Sequence, residues 1–499
     1  MAATKNFLAA DLGAASGRVV LGHWDGSRFA LEELHRFANG GVAVHGHLHW
    51  DVLRLWQEVQ AGLARYAAVD HVPLAGIGID SWAVDYGLLD DKGRLLGNPY
   101  HYRDKRTDGV PERVFARLPW LEVFARTGIQ QLPFNTLYQL ASMQGSRDPQ
   151  LAAAETLLLM PDLVGYWLTG RTVAEYTNAS TTQMLDCRTR LWATDMLAQL
   201  GLPSGLLPPL MEAGSQLGTL LPEVAAATGL DSSTPVYVPG THDTASAVAA
   251  IPGLDDRSAF ISSGTWSLVG LELRTPIVND AARESNVTNE GGVFGTVRLL
   301  KNVTGLWLVQ ECQRHWQQGG RHYPWEELLA LASQVPPLHS LIDPDAPAFL
   351  HPSDMPTAIR AACRQRGEPV PDDVGALVRC CLESIALKYR SVLEALERLV
   401  GRSVETIRVV GGGSQNQLLC QFTADACSRP VVAGPVEATA LGNILVQAIA
   451  AGELQDLATG RRAIAASVQV HYYEPKREAA AQWDAAYVRF TDWIGNGSQ

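Results

Sequence analysis

Across its 499 residues the chain has no Cys-x-x-Cys pair among its seven cysteines, no long uninterrupted apolar run and no excess of basic charge. The first absence argues against a zinc knuckle or a disulfide framework. It leaves the cysteines as reduced thiols, with Cys363 and Cys380 the pair that folding could bring together. The second excludes a membrane helix, which takes ~18 consecutive apolar residues. The opening MAATKNFLAADLG also reaches Asp11 too soon to form the apolar core of a signal peptide. The third, a net charge of −12, offers no broad attraction to nucleic acid or to an anionic membrane. The resulting expectation is a cytoplasmic protein whose partners are small molecules, with no nucleic acid and no membrane, and with its oligomeric state open.

A fourth absence is more local. The stretch AADLGAASGRVV, Ala9 to Val20, is rich in small residues, yet it lacks the Lys-Ser/Thr ending of a P-loop and the third glycine of a dinucleotide fingerprint. Apolar and β-branched residues flank its short turn, which is the pattern of a hairpin. Its turn is then expected to offer successive backbone N–H groups to an anion, with no helix behind it. The alternating His45, His47 and His49 of VHGHLHWD would share one face of a strand. They read as a polar surface or pocket wall, or else as part of a metal site that needs further ligands.

What is present is present twice. SAFISSGTWSLVGLEL, Ser258 to Leu273, is again strand, small-residue turn, strand, with Gly264 standing 251 positions after Gly13. VYVPGTHDTASAVAA (236–250) and IRVVGGGSQNQLLCQF (407–422) likewise share a strand, a glycine turn and a helix. A 499-residue chain that is 46% hydrophobic has material for two cores. The expectation is an α/β protein of two similar domains, 1–250 and 251–499, facing a central cleft where turns from both would hold phosphates. The helix REAAAQWDAAYVRFTDWI closes the chain and is free to pack on either domain.

Several side chains suit chemistry in such a cleft. Asp243 lies where a strand turns into a helix, so it either caps that helix or accepts a proton from a hydroxyl nucleophile. His242 beside it either hydrogen-bonds a sugar or is a loop residue. Asp11 either initiates the first turn or holds Mg2+ through water. Arg18 would have to reach back to phosphates, and Ser16 and Thr265 are hydroxyl donors at the two turns. Trp82 either stacks on a sugar ring or fills the core. Asn302 is expected at a helix start, and Gly411, Gly412 and Gly413 allow a flat group or a neighbouring element to approach closely.

Taken in order, DLGAASGRV, HRFANGG, GIDSWAVDY, YRDKRT, LPFNTLYQL, LLMPDLVGYWLTG, EYTNASTTQ, HDTASAV, SSGTWSLVG, TNEGG, LKNVTGLWLVQ, VGGGSQNQLL and GPVEATALGN span nearly the whole chain. In this set the sequence resembles the FGGY carbohydrate kinases of the actin-like (ribonuclease H-like) ATPases. Within them it is similar to the kinases of L-rhamnulose. The resemblance implies ATP-dependent phosphorylation of that ketose at its 1-hydroxyl, with Mg2+. It makes Asp243 the proton acceptor and assigns ATP to Ala14, Ala15, Ser16, Gly17, Arg18, Thr265, Gln310 and Gly412. It assigns the sugar to position 83, His242, Asp243, Thr244 and Asn302. Position 83 departs from the pattern, carrying Ala83 where the family members have glycine, which leaves L-fuculose or xylulose open as the substrate. An actin-like, nucleotide-gated binding protein is the alternative of a different class.

Overall fold

The computed structural model describes residues 4–69, 72–350 and 352–494. The chain forms two compact units, and it passes between them more than once. The first takes the residues up to Gly253, then Glu272–Leu299 and Ala438–Val468; the second takes Leu254–Leu271, Leu300–Glu437 and the chain from Gln469 on.

The first unit opens with β1 (Lys5–Leu12), β2 (Ser16–Trp24) and β3 (Phe29–Ala38), followed by α1 (Val52–Val69) and β4 (Leu74–Ser81). Much later in the chain come β5 (Ser215–Thr219), β6 (Pro235–Val238) and α2 (Asp243–Ala249). The sheet order is β5-β6-β4-β1-β2-β3. β1 is antiparallel to β2 and parallel to β4, β4 is parallel to β6, and β6 is antiparallel to β5. All of β1 after Lys5 is buried, as its nearly unbroken apolar run requires of a strand covered on both faces. α1 buries Val52, Leu55, Val59, Leu63 and Tyr66, spaced to form one stripe.

The second unit begins with the hairpin of β7 (Ser258–Ser263) and β8 (Trp266–Leu273). The strand β9 (Thr288–Gly291) counts with the first unit, and β10 (Val297–Thr304) runs from the first unit into the second. Then come α3 (Trp307–Gln318), α4 (Val374–Val400), β11 (Thr406–Val410), α5 (Gln417–Cys427), β12 (Val431–Ala433), α6 (Ala438–Ala450), β13 (His471–Tyr473) and α7 (Ala480–Ile494). The strands run β8-β7-β11-β12-β13. β7 is antiparallel to β8 and parallel to β11, β11 is parallel to β12, and β12 is antiparallel to β13. This repeats the order and the directions of β2-β1-β4-β6-β5.

Topology shifts one of the expected correspondences. By position in the sheet, β6 with α2 matches β12 with α6, not β11 with α5. Strand–glycine–helix units look alike locally, and only strand pairing tells them apart. The equivalent helices α2 and α6 pack on each other within the first unit, and α6 also covers β1 and β4. Asn302 differs too: it lies inside β10, and the helix begins only at Trp307. The terminal helix α7 packs on α4 and α5. All seven cysteines are buried free thiols. Among the described residues no helix is long and apolar enough to cross a membrane.

Candidate active site

Strand register sets the first group of charges. Asp11 on β1 stands opposite Arg18 on β2 and beside Asp80 on β4. Arg18 donates to Asp11 Oδ2 from Nε at 3.0 Å and from Nη2 at 2.9 Å. Asp80 is completely buried, and Asn443 of α6 donates to its Oδ2 at 2.5 Å. Its Oδ1 has no hydrogen-bond partner. Burial first, and then the neighbouring Asp11, push the Asp80 carboxyl well above the ordinary range.

The turn before α2 is held from below by one buried acid. Glu175 accepts from Thr241 N (3.0 Å) and Oγ1 (2.8 Å), and from Thr177 N (2.8 Å) and Oγ1 (2.6 Å). Thr177 Oγ1 in turn accepts from His242 N at 3.3 Å, and Ser81 N donates to Thr241 O at 2.9 Å. This is the work of the EYTNAS stretch, and it fixes His242 as the N-cap residue of α2 with Asp243 as its first residue. Asp243 therefore does not cap the helix. Its side chain stays 31% exposed, and Thr244 Oγ1 donates to its Oδ1 at 3.0 Å. The surrounding protein raises its carboxyl above the usual range, the His242 ring opposes that, and the Asp11 charge adds to it.

His242 is itself clasped. Its Nε2 lies 3.4 Å from Asp243 Oδ1, and its Nδ1 lies 3.0 Å from Arg298 Nη2 and 3.3 Å from Glu290 Oε2. Sequence reasoning assigned nothing to Glu175, Glu290 or Arg298. The EYTNAS and TNEGG stretches were the available signal for the two acids; nothing local marked Arg298.

Ala83 follows β4 in a turn whose backbone is strained, for Val84 has φ +69°. Val84 O accepts from Thr136 Oγ1 at 2.7 Å, which anchors the turn on the LPFNTLYQL segment. Asp85 next to it is buried and accepts from Trp50 Nε1 (2.6 Å), Trp82 Nε1 (3.0 Å), Tyr102 N (3.1 Å) and Gln139 Nε2 (2.9 Å). Burial still pushes its carboxyl up to about 6. Trp82 is a core residue packed at a tilt against Trp50, their ring centroids 4.1 Å apart.

The hairpin turn carrying Ala14, Ala15 and Ser16 is tied to HRFANGG: Asn39 donates from Nδ2 to Gly13 O (2.8 Å) and from N to Ala15 O (3.0 Å). Ala15 and Ser16 are exposed, whereas Gly17 is buried where a Cβ would run into the Phe37 ring. None of residues 13–17 has positive φ, so the turn lacks the left-handed residue of a backbone nest and offers its edge as a plain hairpin tip.

In the second unit Thr265 Oγ1 donates to Gln310 Oε1 at 3.1 Å. The start of α3 docks on the same turn through Gly305 N and Trp307 N to Thr265 O (3.1 and 3.2 Å) and Leu306 N to Gly264 O (2.9 Å). Gly411, at φ +81°, and Gly413 press on Ser263 just before that turn, while Gly412 faces open space. Asn302 is half-buried on β10.

His47 pairs with Asp104 (3.2 Å) and His49 lies on Tyr100, ring centroids 4.4 Å apart. No group of three His, Cys, Asp or Glu among the described residues is placed to hold a metal ion.

Comparison with known proteins bears on the family and the fold. The N-terminal domain of the FGGY family of carbohydrate kinases matches residues 7–250 and its C-terminal domain matches 259–451. The rhamnulokinase of Bacteroides thetaiotaomicron is 46% identical over 98% of this chain and 99% of its own. That of Enterococcus faecalis is 42% identical over 94% of both. Among solved structures, ligand-bound xylulose kinase from Lactobacillus acidophilus superposes with a TM-score of 0.81 at 17% identity, covering 99% of this chain and 98% of that one. Plasmodium falciparum glycerol kinase with ADP gives 0.76 at 14% identity, covering 98% of both chains.

Proposed function

This chain belongs to the FGGY family of carbohydrate kinases, and on that premise we propose that it transfers the γ-phosphoryl group of ATP to the 1-hydroxyl of L-rhamnulose. The observation that carries the mechanism is Asp243, a third exposed, uncommitted to helix capping and held by His242 and Thr244. The 1-hydroxyl oxygen forms its bond to the γ-phosphorus as the bond to the β-phosphate oxygen breaks. The hydroxyl proton passes to the Asp243 carboxylate, a step worth typically ~10²–10⁴ in rate. His242, Thr244, Ala83 and Asn302 are assigned to the sugar. Ala14, Ala15, Ser16, Gly17 and Arg18 are assigned to the phosphates, and Thr265, Gln310 and Gly412 to the nucleotide.

Mg2+ is the expected companion of ATP, and it would supply positive charge to the transferring phosphates. With no three-residue ligand set among the described residues, Asp11 suits a single contact through water, its charge already shared with Arg18. Asp80 beside it, completely buried and with its carboxyl raised well above the ordinary range, favours its neutral form.

The test is a panel of ketoses ranked by kcat/KM for ATP consumption, run with the wild type and Asp243→Asn. L-rhamnulose should rank first, and Asp243→Asn should lose at least ~10² in kcat while still binding ATP. L-fuculose or xylulose ranking first would replace the substrate, and an unchanged kcat in Asp243→Asn would remove Asp243 as the base.

A further inference from the structure

We propose that Arg298 is a positioning residue that fixes the tautomer of His242 and thereby selects the Asp243 oxygen that accepts the proton. The idea rests on the reading of Asp243 as the base. Arg298 is completely buried at the start of β10, in the part of that strand that counts with the first unit. Its Nε donates to Gly291 O at 2.9 Å, and its Nη2 stands 3.2 Å from Glu290 Oε2 and 3.0 Å from His242 Nδ1.

A guanidinium only donates, and it stays charged. A ring nitrogen 3.0 Å from such a donor must present its lone pair, since an N–H there would set hydrogen against hydrogen. The imidazole proton therefore sits on Nε2, the nitrogen 3.4 Å from Asp243 Oδ1. The other tautomer would turn a lone pair toward that carboxylate and an N–H toward Arg298. It would keep only the Glu290 carboxylate, 3.3 Å from Nδ1, as an acceptor.

The consequence falls on Asp243. The hydroxyl of Thr244 donates to Oδ1, and Nε2 of His242 lies 3.4 Å from the same oxygen. Oδ1 is thereby occupied, and Oδ2 is left to take the proton of the substrate hydroxyl. Arg298 touches neither sugar nor nucleotide in this scheme. It acts through His242, and Glu290 balances its charge, the carboxylate that most strongly offsets the cost of burying the guanidinium.

The test is 15N NMR of the full-length protein labelled at histidine, with the His242 signal identified by its loss in His242→Gln. The wild type without substrate should show the proton on Nε2; a proton on Nδ1 would overturn the proposal. That measurement needs no sugar, so it stands or falls separately from the kinase reading. In folded Arg298→Met the signal should become a tautomer mixture, and kcat should drop by about tenfold or more with KM for ATP unchanged. Arg298→Lys, which keeps a charged donor, should restore part of both. A folded Arg298→Met with an unaltered tautomer would refute the assignment.

Discussion

Asp80 places a carboxyl where water does not reach it, next to a second carboxylate and with one amide donor as compensation. A carboxyl raised in the folded state binds its proton more tightly there than in the unfolded chain, where the value is about 3.9. Its contribution to stability is therefore complete below the unfolded value and is lost as pH rises through the folded one. Asp80→Asn removes that loss while keeping an acceptor for Asn443. The variant should melt about 2–4 °C above the wild type at pH 8, with a smaller gap at pH 5. A gap that shrinks toward pH 8 would contradict the assignment. At this scale the sequence exposed Asp243 and His242, because a polar pair between a strand and a helix is a local signal. Arg298 gave none, and Glu175 and Glu290 were marked only by the EYTNAS and TNEGG stretches around them, because Thr241 and His242, which they meet in the fold, are distant in the chain.

Elements are placed here by close approach as much as by apolar pattern. α6 lies against α2 at Gly442, where any Cβ would collide with the Ser246 backbone. α6 then puts Ile444 on Gly22 of β2, and it sends Gln447 Nε2 to Leu8 O at 2.9 Å and to Asn443 Oδ1 at 2.7 Å. Gly442→Val should force the two helices apart at a cost of about 1–3 kcal/mol or more, read as a lower urea midpoint. It should also displace Asn443 from Asp80. A midpoint equal to that of the wild type would mean the helices tolerate the side chain. The hairpins were legible from apolar flanks and small-residue turns. The pairing of 236–250 with 407–422 was not sound, because the two stretches share a local form while their strands occupy different places in the sheets.

For the whole molecule, the sheet of the first unit is closed by chain that arrives only after residue 437. Without α6, the faces of β1 and β4 beneath it and the buried side of α2 lose their cover. Residues 1–253 expressed alone should accordingly show no cooperative thermal transition. Linking 272–299 and 438–468 to that fragment should restore one, followed by far-UV circular dichroism. A cooperative melt of the short fragment would show that the first unit is self-sufficient. The carbohydrate kinase family was legible at this scale from motifs spread over nearly the full length, and the family matches over 7–250 and 259–451 bear it out.

The sequence by itself determined the doubled strand-and-hairpin plan, the family and the Asp243–His242 pair. Each of these is written in neighbouring residues, through apolar runs, turn chemistry and a strand-to-helix junction. Tertiary structure decided which strands are neighbours, that α6 packs into the first unit, and which nitrogen of His242 carries the proton. The physical reason is separation: Asn443 meets Asp80 across 363 positions and Arg298 meets His242 across 56. Such contacts exist only once strand pairing has brought the partners together, and neither partner's own surroundings in the chain announce the other.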